Sequence, residues 1–577
     1  MKQTKLRMAV NDLFKKKETA RIAALDTPWT AQSGIPWEEY PRPQLRRDSF
    51  FCLNGPWRFA INGTEVGEIL VPYPPESKLA GVPAPERGDQ LTYEREFTLP
   101  EGFRRDRVLL HFGAVDQECT VYLNDVELGS HVGGYLPFSF DVTALLQETN
   151  TLRVIAFDPL DTDLPYGKQR EDRGGMWYTP VSGIWQSVWL EHVPETYIEK
   201  LHIENRGYSV TISIEPALGG SVHVAGVGRF GLENGSVTIT PEDPHLWSPE
   251  EPYLYNFTVE AGADKVESYF AIRSLEVKKI GNYPRLCLNG KPYFFHGLLD
   301  QGYWPDGLFT PAAPECYADD ILMMKKLGFN TLRKHIKVEP EEFYYQCDKL
   351  GMIVFQDMVN NSDYNFLRDT ALPTIGIQTL DDRKLHADEV GRRRFLEGME
   401  ATVKQLKNHP CICYWTIFNE GWGQFDSDNV YDQFKKLDDT RFIDSTSGWF
   451  RRKKTDVDSR HVYFRKVKLA GDGIKPLVLS EFGGKTFKVE GHVFNPDKTY
   501  GYGGCDSLEA LNEAVAKLYL EEVLPCIRKG LCAAIYTQVS DVEDEINGLV
   551  TYDRKVEKLN PETMLPIATA LQQAVEE

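Results

Sequence analysis

The stretch Cys411-Ile-Cys-Tyr-Trp-Thr-Ile-Phe-Asn-Glu420 decides the fold of this chain. The residues from Cys411 to Phe418 are mostly apolar, which is typical of a strand buried on both faces of a parallel sheet. The run ends on an amide and a carboxylate, Asn419 and Glu420, before the glycine turn at Gly421. Taken alone, such a glutamate more often caps the next helix or pairs with a lysine than performs chemistry.

A second apolar strand ends in the same way. Lys475-Pro-Leu-Val-Leu-Ser480 leads directly to Glu481, with Phe482-Gly-Gly484 behind it. Parallel barrel strands present their C-terminal ends at one face, where the active sites of such barrels lie. Two strands that each deliver a glutamate to that face predict a two-carboxylate glycosidase.

Length and composition exclude several classes of protein. A chain of 577 residues is too long for one core, so about three domains are expected. A formal charge of −20 argues against nucleic acid as a partner, and no apolar run is long enough to cross a membrane. The ten cysteines include no CxxC pair, so neither a zinc site nor a disulfide framework is predicted. The stretch 1–10 is basic and lacks the apolar core of a secretory leader, which predicts a cytoplasmic protein.

The periodicity changes twice along the chain. Residues 1–194 read as a β-sandwich of short alternating strands, and 195–278 as a smaller, immunoglobulin-like β-sandwich of about seven strands. From 279 to 577 strands alternate with helices. Eight strands are predicted there, which makes a (β/α)8 TIM barrel, so the fold class is multidomain α and β. The predicted barrel strands are 294–299, 329–335, 352–357, 411–418, 441–444, 461–463, 477–480 and 532–538.

Motifs in all three segments resemble glycoside hydrolase family 2. The first segment carries Leu53-Asn-Gly-Pro-Trp57 and Tyr178-Thr-Pro-Val-Ser-Gly-Ile-Trp185, and the barrel carries Gly328-Phe-Asn-Thr-Leu-Arg333, Phe418-Asn-Glu420 and Ser480-Glu-Phe-Gly-Gly484. The resemblance covers most of the chain. It implies an N-terminal sugar-binding jelly roll and a retaining β-glycosidase without an organic cofactor. No metal ligands of the large β-galactosidases have a clear counterpart, so none are carried over.

The resemblance assigns roles to matching residues. Glu420 corresponds to the general acid/base and Glu481 to the nucleophile of double displacement. Asn419 corresponds to the residue that binds the sugar 2-hydroxyl. His461 and Tyr463 match a His-x-Tyr in which the phenol supports the nucleophile, although Tyr463 could also be a core aromatic. Further residues are expected to bind substrate on the same basis: Asp300, Arg333, His335, Trp449 and Gln538.

The identity of the sugar stays open in the sequence. β-Glucuronidases of the family read the substrate carboxylate with an Asn-x-Lys, where this chain has Glu545-Ile-Asn547. Basic residues after Tyr463 could replace that lysine, and Arg465 and Lys466 are predicted to bind a sugar carboxylate. The basic run Arg451-Arg-Lys-Lys454 could also bind a sugar carboxylate, but a solvated charge run explains it at least as well.

Three functional hypotheses follow. The first is a β-hexuronidase acting on a small-molecule galacturonide or glucuronide, the second a β-galactosidase, and the third a sugar-binding protein without activity. A homo-oligomer is compatible with each. The loop 161–177 carries Asp, basic and Trp residues, and it either extends toward the site or is an ordinary surface loop. The loop 359–388 has no assigned contacts.

Overall fold

The computed structural model describes residues 22–31, 34–103, 106–374, 377, 381–386 and 388–576. The basic stretch 1–10, on which the cytoplasmic prediction depends, lies outside these residues. Within them, no helix combines the length and the apolar character that crossing a bilayer requires.

The first part of the chain forms a β-sandwich with antiparallel sheets of four and six strands. Alternate residues of its strands are buried, as in Asn150–Phe157, because successive side chains point to opposite faces. A two-stranded sheet and two 3₁₀ turns, Lys78–Ala80 and Thr143–Leu145, complete it. The strands are Phe51–Cys52, Gly55–Ile61, Thr64–Val71, Gln90–Phe97, Arg107–Phe112, Val115–Asp116, Glu118–Leu123, Val126–Val132, Phe138–Asp141, Asn150–Phe157, Gly183–Ile184 and Val188–Val193.

A smaller sandwich follows, with antiparallel sheets of three and four strands around its own apolar core. Its described strands number seven, as the sequence predicts for an immunoglobulin-like domain. They are Lys200–Arg206, Ser209–Glu215, Gly220–Val224, Gly228–Leu232, Ser236–Ile239, Tyr255–Ala261 and Asp264–Phe270. A three-stranded antiparallel sheet, Leu275–Ile280, Tyr283–Leu288 and Lys291–Pro292, leads into the last part of the chain.

The last part is a nearly closed barrel of eight parallel strands. The fifth and sixth strands form the two ends of the hydrogen-bonded ladder. Serine hydroxyls lie across this seam, with Ser447 Oγ 3.3 Å from Ser459 Oγ. In chain order the strands are Phe295–Asp300, Thr331–Lys334, Ile353–Asp357, Ile412–Asn419, Phe442–Ser447, Asp458–Val462, Leu477–Phe482 and Leu531–Tyr536.

Helices surround the barrel between its strands. They are Glu315–Lys326, Glu341–Leu350, Leu372–Thr374, Glu389–Leu406, Ser427–Leu437, Leu508–Leu518, Leu524–Ile527 and Pro561–Glu576, with a 3₁₀ turn at Asp382–Lys384 and π-helical segments at Leu367–Ala371 and Tyr519–Val523.

The predicted architecture of a jelly-roll sandwich, an immunoglobulin-like sandwich and a TIM barrel is confirmed, and all eight barrel strands are found near their predicted positions. One prediction was wrong in detail. The sequence predicts a single regular helix over 507–529, whereas the structure has the π-helical segment Tyr519–Val523 within this range. Pro525 lies two residues after this segment and has no N–H for the regular helical ladder, so the pattern of hydrogen bonds changes there. The domain limits at 194 and 278 stay predictions.

Candidate active site

Two glutamates meet at the C-terminal face of the barrel. Glu420 directly follows the fourth strand, and Glu481 is the penultimate residue of the seventh. A carboxylate oxygen of each, together with a ring nitrogen of His461, lies within 4.8 Å of the others. The fold therefore brings together the two carboxylates that the sequence places at the ends of separate strands.

Glu481 is buried and held by two donors. Arg333 Nη1 donates to its Oε1 at 3.1 Å, and the Tyr463 hydroxyl donates to its Oε2 at 2.8 Å. Burial alone would raise the pKa of Glu481, but the positive charges of His461 and Arg333 outweigh it and hold that pKa well below its usual range. Burial also raises the pKa of Tyr463, so its phenol stays protonated and can donate. The site thus keeps Glu481 ionised.

Glu420 is more accessible, with 22 % of its side chain exposed. Its backbone has a φ of +52°, in the left-handed region that few residues other than glycine adopt, and such strain is concentrated at functional sites. Its amide donates to Ser447 O at 2.9 Å, which fixes the turn. His461 Nδ1 lies 2.7 Å from Glu420 Oε1, while His461 Nε2 lies 3.1 Å from Ser447 Oγ. The imidazole therefore positions the carboxylate toward the barrel mouth.

The conformation of His461 depends on a glycine. Gly448 has a φ of +88°, and a Cβ at this position would lie 2.5 Å from His461 Nδ1. Any other residue would therefore displace the ring. Trp449 follows and packs edge-on against His461, with ring centroids 5.7 Å apart.

Arg333 is the centre of the buried polar network. Besides Glu481, it donates through Nη2 to Asn419 Oδ1 at 2.8 Å and through Nε to Asp357 Oδ1 at 3.0 Å. Asp357 also lies 2.7 Å from His335 Nδ1. Because its oxygen accepts from Arg333, Asn419 is oriented with its NH2 group as the end that remains for a ligand. Arg333 and His335 thus both bind Asp357, and their predicted contacts with substrate stay predictions.

The remaining predicted residues are Asp300, Gln538, Arg465 and Lys466. Asp300 pairs with Lys334 at 2.7 Å, and Gln538 donates to Asn547 Oδ1 at 2.8 Å, so both face polar neighbours at the barrel mouth. Arg465 and Lys466 are exposed, and the described part of the chain provides neither with an ion pair. The predicted role of these two in binding a sugar carboxylate stays a prediction.

The loop 161–177 of the first sandwich reaches the barrel mouth. Tyr166 and Gly167 donate their amides to Asn360 O, beyond the third barrel strand, at 3.1 and 3.3 Å. The Trp177 ring packs edge-on against Trp422, two residues after Glu420, at 5.0 Å between centroids. Of the two alternatives for this loop, the structure shows the reach toward the site.

The sequence did not predict several of the residues that lie near the site. Tyr178 donates to Glu545 Oε2 at 2.6 Å, across the border between sandwich and barrel. Lys168 places its ammonium over the Trp177 ring, 5.6 Å from the centroid. The tryptophan and the basic residues of the loop were the available signal, but contacts between distant segments are not visible in one sequence.

Glu420, His461 and Glu481 also form the one group in the described residues whose ligand atoms are close enough to share a metal ion. Arg333, Tyr463 and His461 already supply hydrogen-bond donors to these carboxylates. These donors bind carboxylate oxygens that a cation would otherwise use, and the absence of a metal from this site stays a prediction.

Comparisons with known proteins agree with this geometry. Three models match successive parts of the chain: a glycosyl hydrolase 2 galactose-binding domain-like model over residues 86–186, glycosyl hydrolases family 2 over 196–273, and the TIM barrel domain of that family over 279–500. The chain belongs to glycosyl hydrolase family 2. The matched barrel model includes both Glu420 and Glu481.

Relatives of this family 2 chain carry more than one name. A β-galactosidase from Thermoanaerobacter pseudethanolicus is 26% identical over 375 residues, covering 60% of this chain and 46% of the relative. Human β-glucuronidase is 26% identical over 398 residues, covering 59% and 56%. The chain spans about half the length of the curated relatives it matches.

Solved structures share the fold over nearly the whole family 2 chain. A β-D-glucuronidase from Dictyoglomus thermophilum superimposes with a TM-score of 0.70 at 19% identity, covering 93% of this chain and 98% of that one. A β-galacturonidase from Eisenbergiella tayi bound to galacturonate gives 0.66 at 20% identity, covering 92% and 99%. At these identities the likeness concerns the fold.

Proposed function

We propose that this chain is a retaining exo-β-glycosidase that removes a terminal β-linked sugar by double displacement. The observation that carries the proposal is the approach of the Glu420 and Glu481 carboxylates to within 4.8 Å. Retaining enzymes hold their two carboxyl groups about 5–5.5 Å apart, whereas inverting enzymes need about 6.5–9.5 Å to admit a water molecule.

The environments of the two glutamates assign their roles. Glu481 is buried, ionised and oriented by Arg333 and Tyr463, as a nucleophile requires. It attacks the anomeric carbon while the bond to the leaving oxygen breaks, and the more accessible Glu420 donates its proton to that oxygen. A glycosyl ester on Glu481 results.

The second step reverses these roles. Once esterified, Glu481 is neutral, which removes the repulsion between the two carboxylates. Glu420 then takes a proton from a water molecule that attacks the anomeric carbon, and Glu481 leaves as a carboxylate. Asn419, oriented by Arg333, would donate to the sugar 2-hydroxyl, a contact that strengthens in the transition state. His461 would orient Glu420 in both steps.

A β-hexuronide is the first candidate for the sugar. Support comes from the positive charge of Lys168 at the barrel mouth and from relatives and structural neighbours named β-glucuronidase and β-galacturonidase. A β-galactoside is the second candidate. It is favoured by Glu545, a buried carboxyl that would repel an anionic sugar when ionised, and by the relative named β-galactosidase. A sugar-binding protein without activity is disfavoured because both glutamates keep their supporting residues. A cytoplasmic location and a homo-oligomer stay predictions.

Small nucleophiles test the assigned roles directly. A panel of nitrophenyl β-glycosides first identifies a substrate. With Glu481→Ala, turnover should fall by roughly a thousandfold or more, and azide should restore it with formation of the α-glycosyl azide, since azide then occupies the nucleophile's side. With Glu420→Ala, azide should yield the β-glycosyl azide from the covalent intermediate.

Glu557→Gln is a matched control, because Glu557 is on the barrel surface and pairs with Lys326. It should retain full turnover. Full activity in Glu481→Ala would end the proposal, and interchanged azide products would reverse the two roles.

A further inference from the structure

Lys168 belongs to the first sandwich, yet it lies at the mouth of the barrel. The preceding Gly167 donates its amide to Asn360 O, and a Cβ on Gly167 would lie 2.8 Å from Ile336 O, directly after His335. The Lys168 carbonyl accepts from the Tyr178 amide at 3.0 Å, and the Tyr178 hydroxyl in turn donates to Glu545. These contacts fix the backbone of Lys168 between the second, third and eighth barrel strands.

The side chain of Lys168 points to the same place. Its ammonium lies over the Trp177 ring, which packs against Trp422 close to Glu420. Lys168 is half-buried, and its ammonium forms no ion pair or hydrogen bond within the described residues. A lysine stem loses rotamer freedom when it is ordered. Here the ammonium has the Trp177 ring as a cation–π partner but no carboxylate or carbonyl, so it can still form charge-assisted bonds to an anionic ligand.

The electrostatics agree with this position. Burial raises the pKa of Glu545, and the Lys168 charge opposes that rise. Burial alone would also raise the pKa of Glu481, but His461 and Arg333 lower it overall, and Lys168 adds to that lowering. One ammonium therefore acts electrostatically on both Glu545 and Glu481.

We infer that Lys168 is the specificity-determining residue for an acidic sugar: it binds the carboxylate of a β-hexuronide across the border between the first sandwich and the barrel. The inference rests on the proposed function and deepens it. A lysine is suited to this task as a compact charge that forms charge-assisted bonds to a carboxylate. Glu545, whose carboxyl group accepts from Tyr178 and Asn547, would reject an acidic sugar unless Lys168 offsets its charge.

The exposed residues Arg465 and Lys466 are the competing candidates. Exposed charges are screened by solvent and salt, so their attraction for a sugar carboxylate is weaker than that of a half-buried ammonium. Lys168 also has a matched neighbour. Arg170 lies in the same loop with its guanidinium over the same Trp177 ring at 5.1 Å, but it pairs with Asp172 at 2.9 Å.

The test compares kcat/KM for nitrophenyl β-D-glucuronide and β-D-galacturonide with that for the β-D-galactoside. In Lys168→Met the ratio of uronide to galactoside should fall by about 10-fold to 100-fold, as expected for loss of a charge-assisted bond. Lys168→Arg, which keeps the charge, should lose much less. Arg170→Met and Arg465→Ala should leave the ratio within about twofold, and melting temperatures show that each variant is folded.

Calorimetric binding of free glucuronic and galacturonic acids provides a second readout that does not depend on turnover. Lys168→Met should weaken uronic acid binding by a similar factor. An unchanged ratio in Lys168→Met, or a loss in Arg465→Ala instead, would overturn the inference. So would a wild-type enzyme that cleaves only the galactoside, although the proposed glycosidase function would then stand. If the wild-type protein cleaves none of the three glycosides, the proposed function fails. The inference survives in that case if the wild-type protein binds the uronic acids and Lys168→Met binds them more weakly.

Discussion

Arg333 Nη1 lies 3.1 Å from Glu481 Oε1, and the same guanidinium donates to Asn419 Oδ1 at 2.8 Å. One fully buried side chain thus connects the proposed nucleophile to the residue that would hold the sugar 2-hydroxyl. Arg333 lies on the second barrel strand, whereas Glu481 and Asn419 lie on the seventh and fourth strands. The guanidinium therefore sets the relative position of groups that come from opposite sides of the barrel.

Replacing Arg333 with lysine should disconnect these groups. An ammonium keeps the charge but cannot reproduce the forked contacts to Glu481, Asn419 and Asp357. We expect kcat/KM to fall by about a hundredfold or more. Arg441→Lys is the control, because Arg441 precedes the fifth strand and donates to the His409 and Ile412 carbonyls at the start of the fourth, at the opposite end of the barrel. It should lower the melting temperature without a comparable loss of kcat/KM. Equal losses in both variants would mean that Arg333 is merely structural.

Tyr463→Phe should slow catalysis while preserving the packing of the ring. The Tyr463 ring stacks on Tyr502 with centroids 4.2 Å apart, and phenylalanine can keep that contact. Loss of the hydroxyl removes the 2.8 Å bond to Glu481, so kcat should fall by about 10-fold to 100-fold. Tyr519→Phe, buried behind the barrel with no partner for its hydroxyl among the described residues, should retain kcat. Wild-type kcat in Tyr463→Phe would contradict the supporting role.

The low pKa of Glu481 should make its contribution to stability depend on pH. The folded pKa lies below the unfolded value of about 4.3, so the ionised group stabilises the fold above that pH and loses this effect as pH falls toward the folded pKa. Glu481→Gln should therefore melt below wild type near pH 7, by roughly 1–3 °C. The difference should shrink below about pH 4. A difference that grows on acidification would have the wrong sign for a depressed pKa.

Removal of metal ions should leave activity intact. The carboxylates of Glu420 and Glu481 accept hydrogen bonds from His461, Arg333 and Tyr463, and the mechanism proposed above routes no step through a cation. After dialysis against EDTA, kcat/KM should stay within about twofold of the untreated enzyme. A loss that a divalent cation restores would show that the cluster of Glu420, His461 and Glu481 binds metal in the active enzyme.

The barrel was predictable from the sequence because its strands are local patterns. Buried parallel strands are short apolar runs, and the polar residues that end them, such as Asn419, Glu420 and Glu481, stand out against those runs. Their meeting at one face follows from the direction shared by all eight strands. The proposed catalytic pair could thus be identified without knowledge of any contact.

Contacts between distant segments were not predictable in the same way. Arg333 was expected to touch substrate, but its Nε, Nη1 and Nη2 atoms donate to neighbouring side chains and to the Ser480 carbonyl. Lys168 and Tyr178 contact the barrel from another domain, and no periodic pattern in the sequence predicts such contacts. Arg465 and Lys466 follow Tyr463 in sequence, yet their side chains are exposed because the chain has left the sixth strand by then. Proximity in sequence is a poor guide to position in a loop.

Capture of the covalent intermediate tests the central claim most directly. The enzyme would be incubated with a 2-deoxy-2-fluoro β-glycosyl fluoride of the sugar that it cleaves. The fluorine at C2 slows both steps by destabilising their oxocarbenium-like transition states, whereas the good fluoride leaving group at C1 speeds only the first, so the intermediate accumulates. Mass spectrometry of the intact protein and its peptides then locates any adduct. We predict one glycosyl group per chain, attached to Glu481 and absent from Glu481→Gln. An adduct on another residue, or turnover of this reagent to the α-anomer with no adduct, would contradict the proposed double displacement.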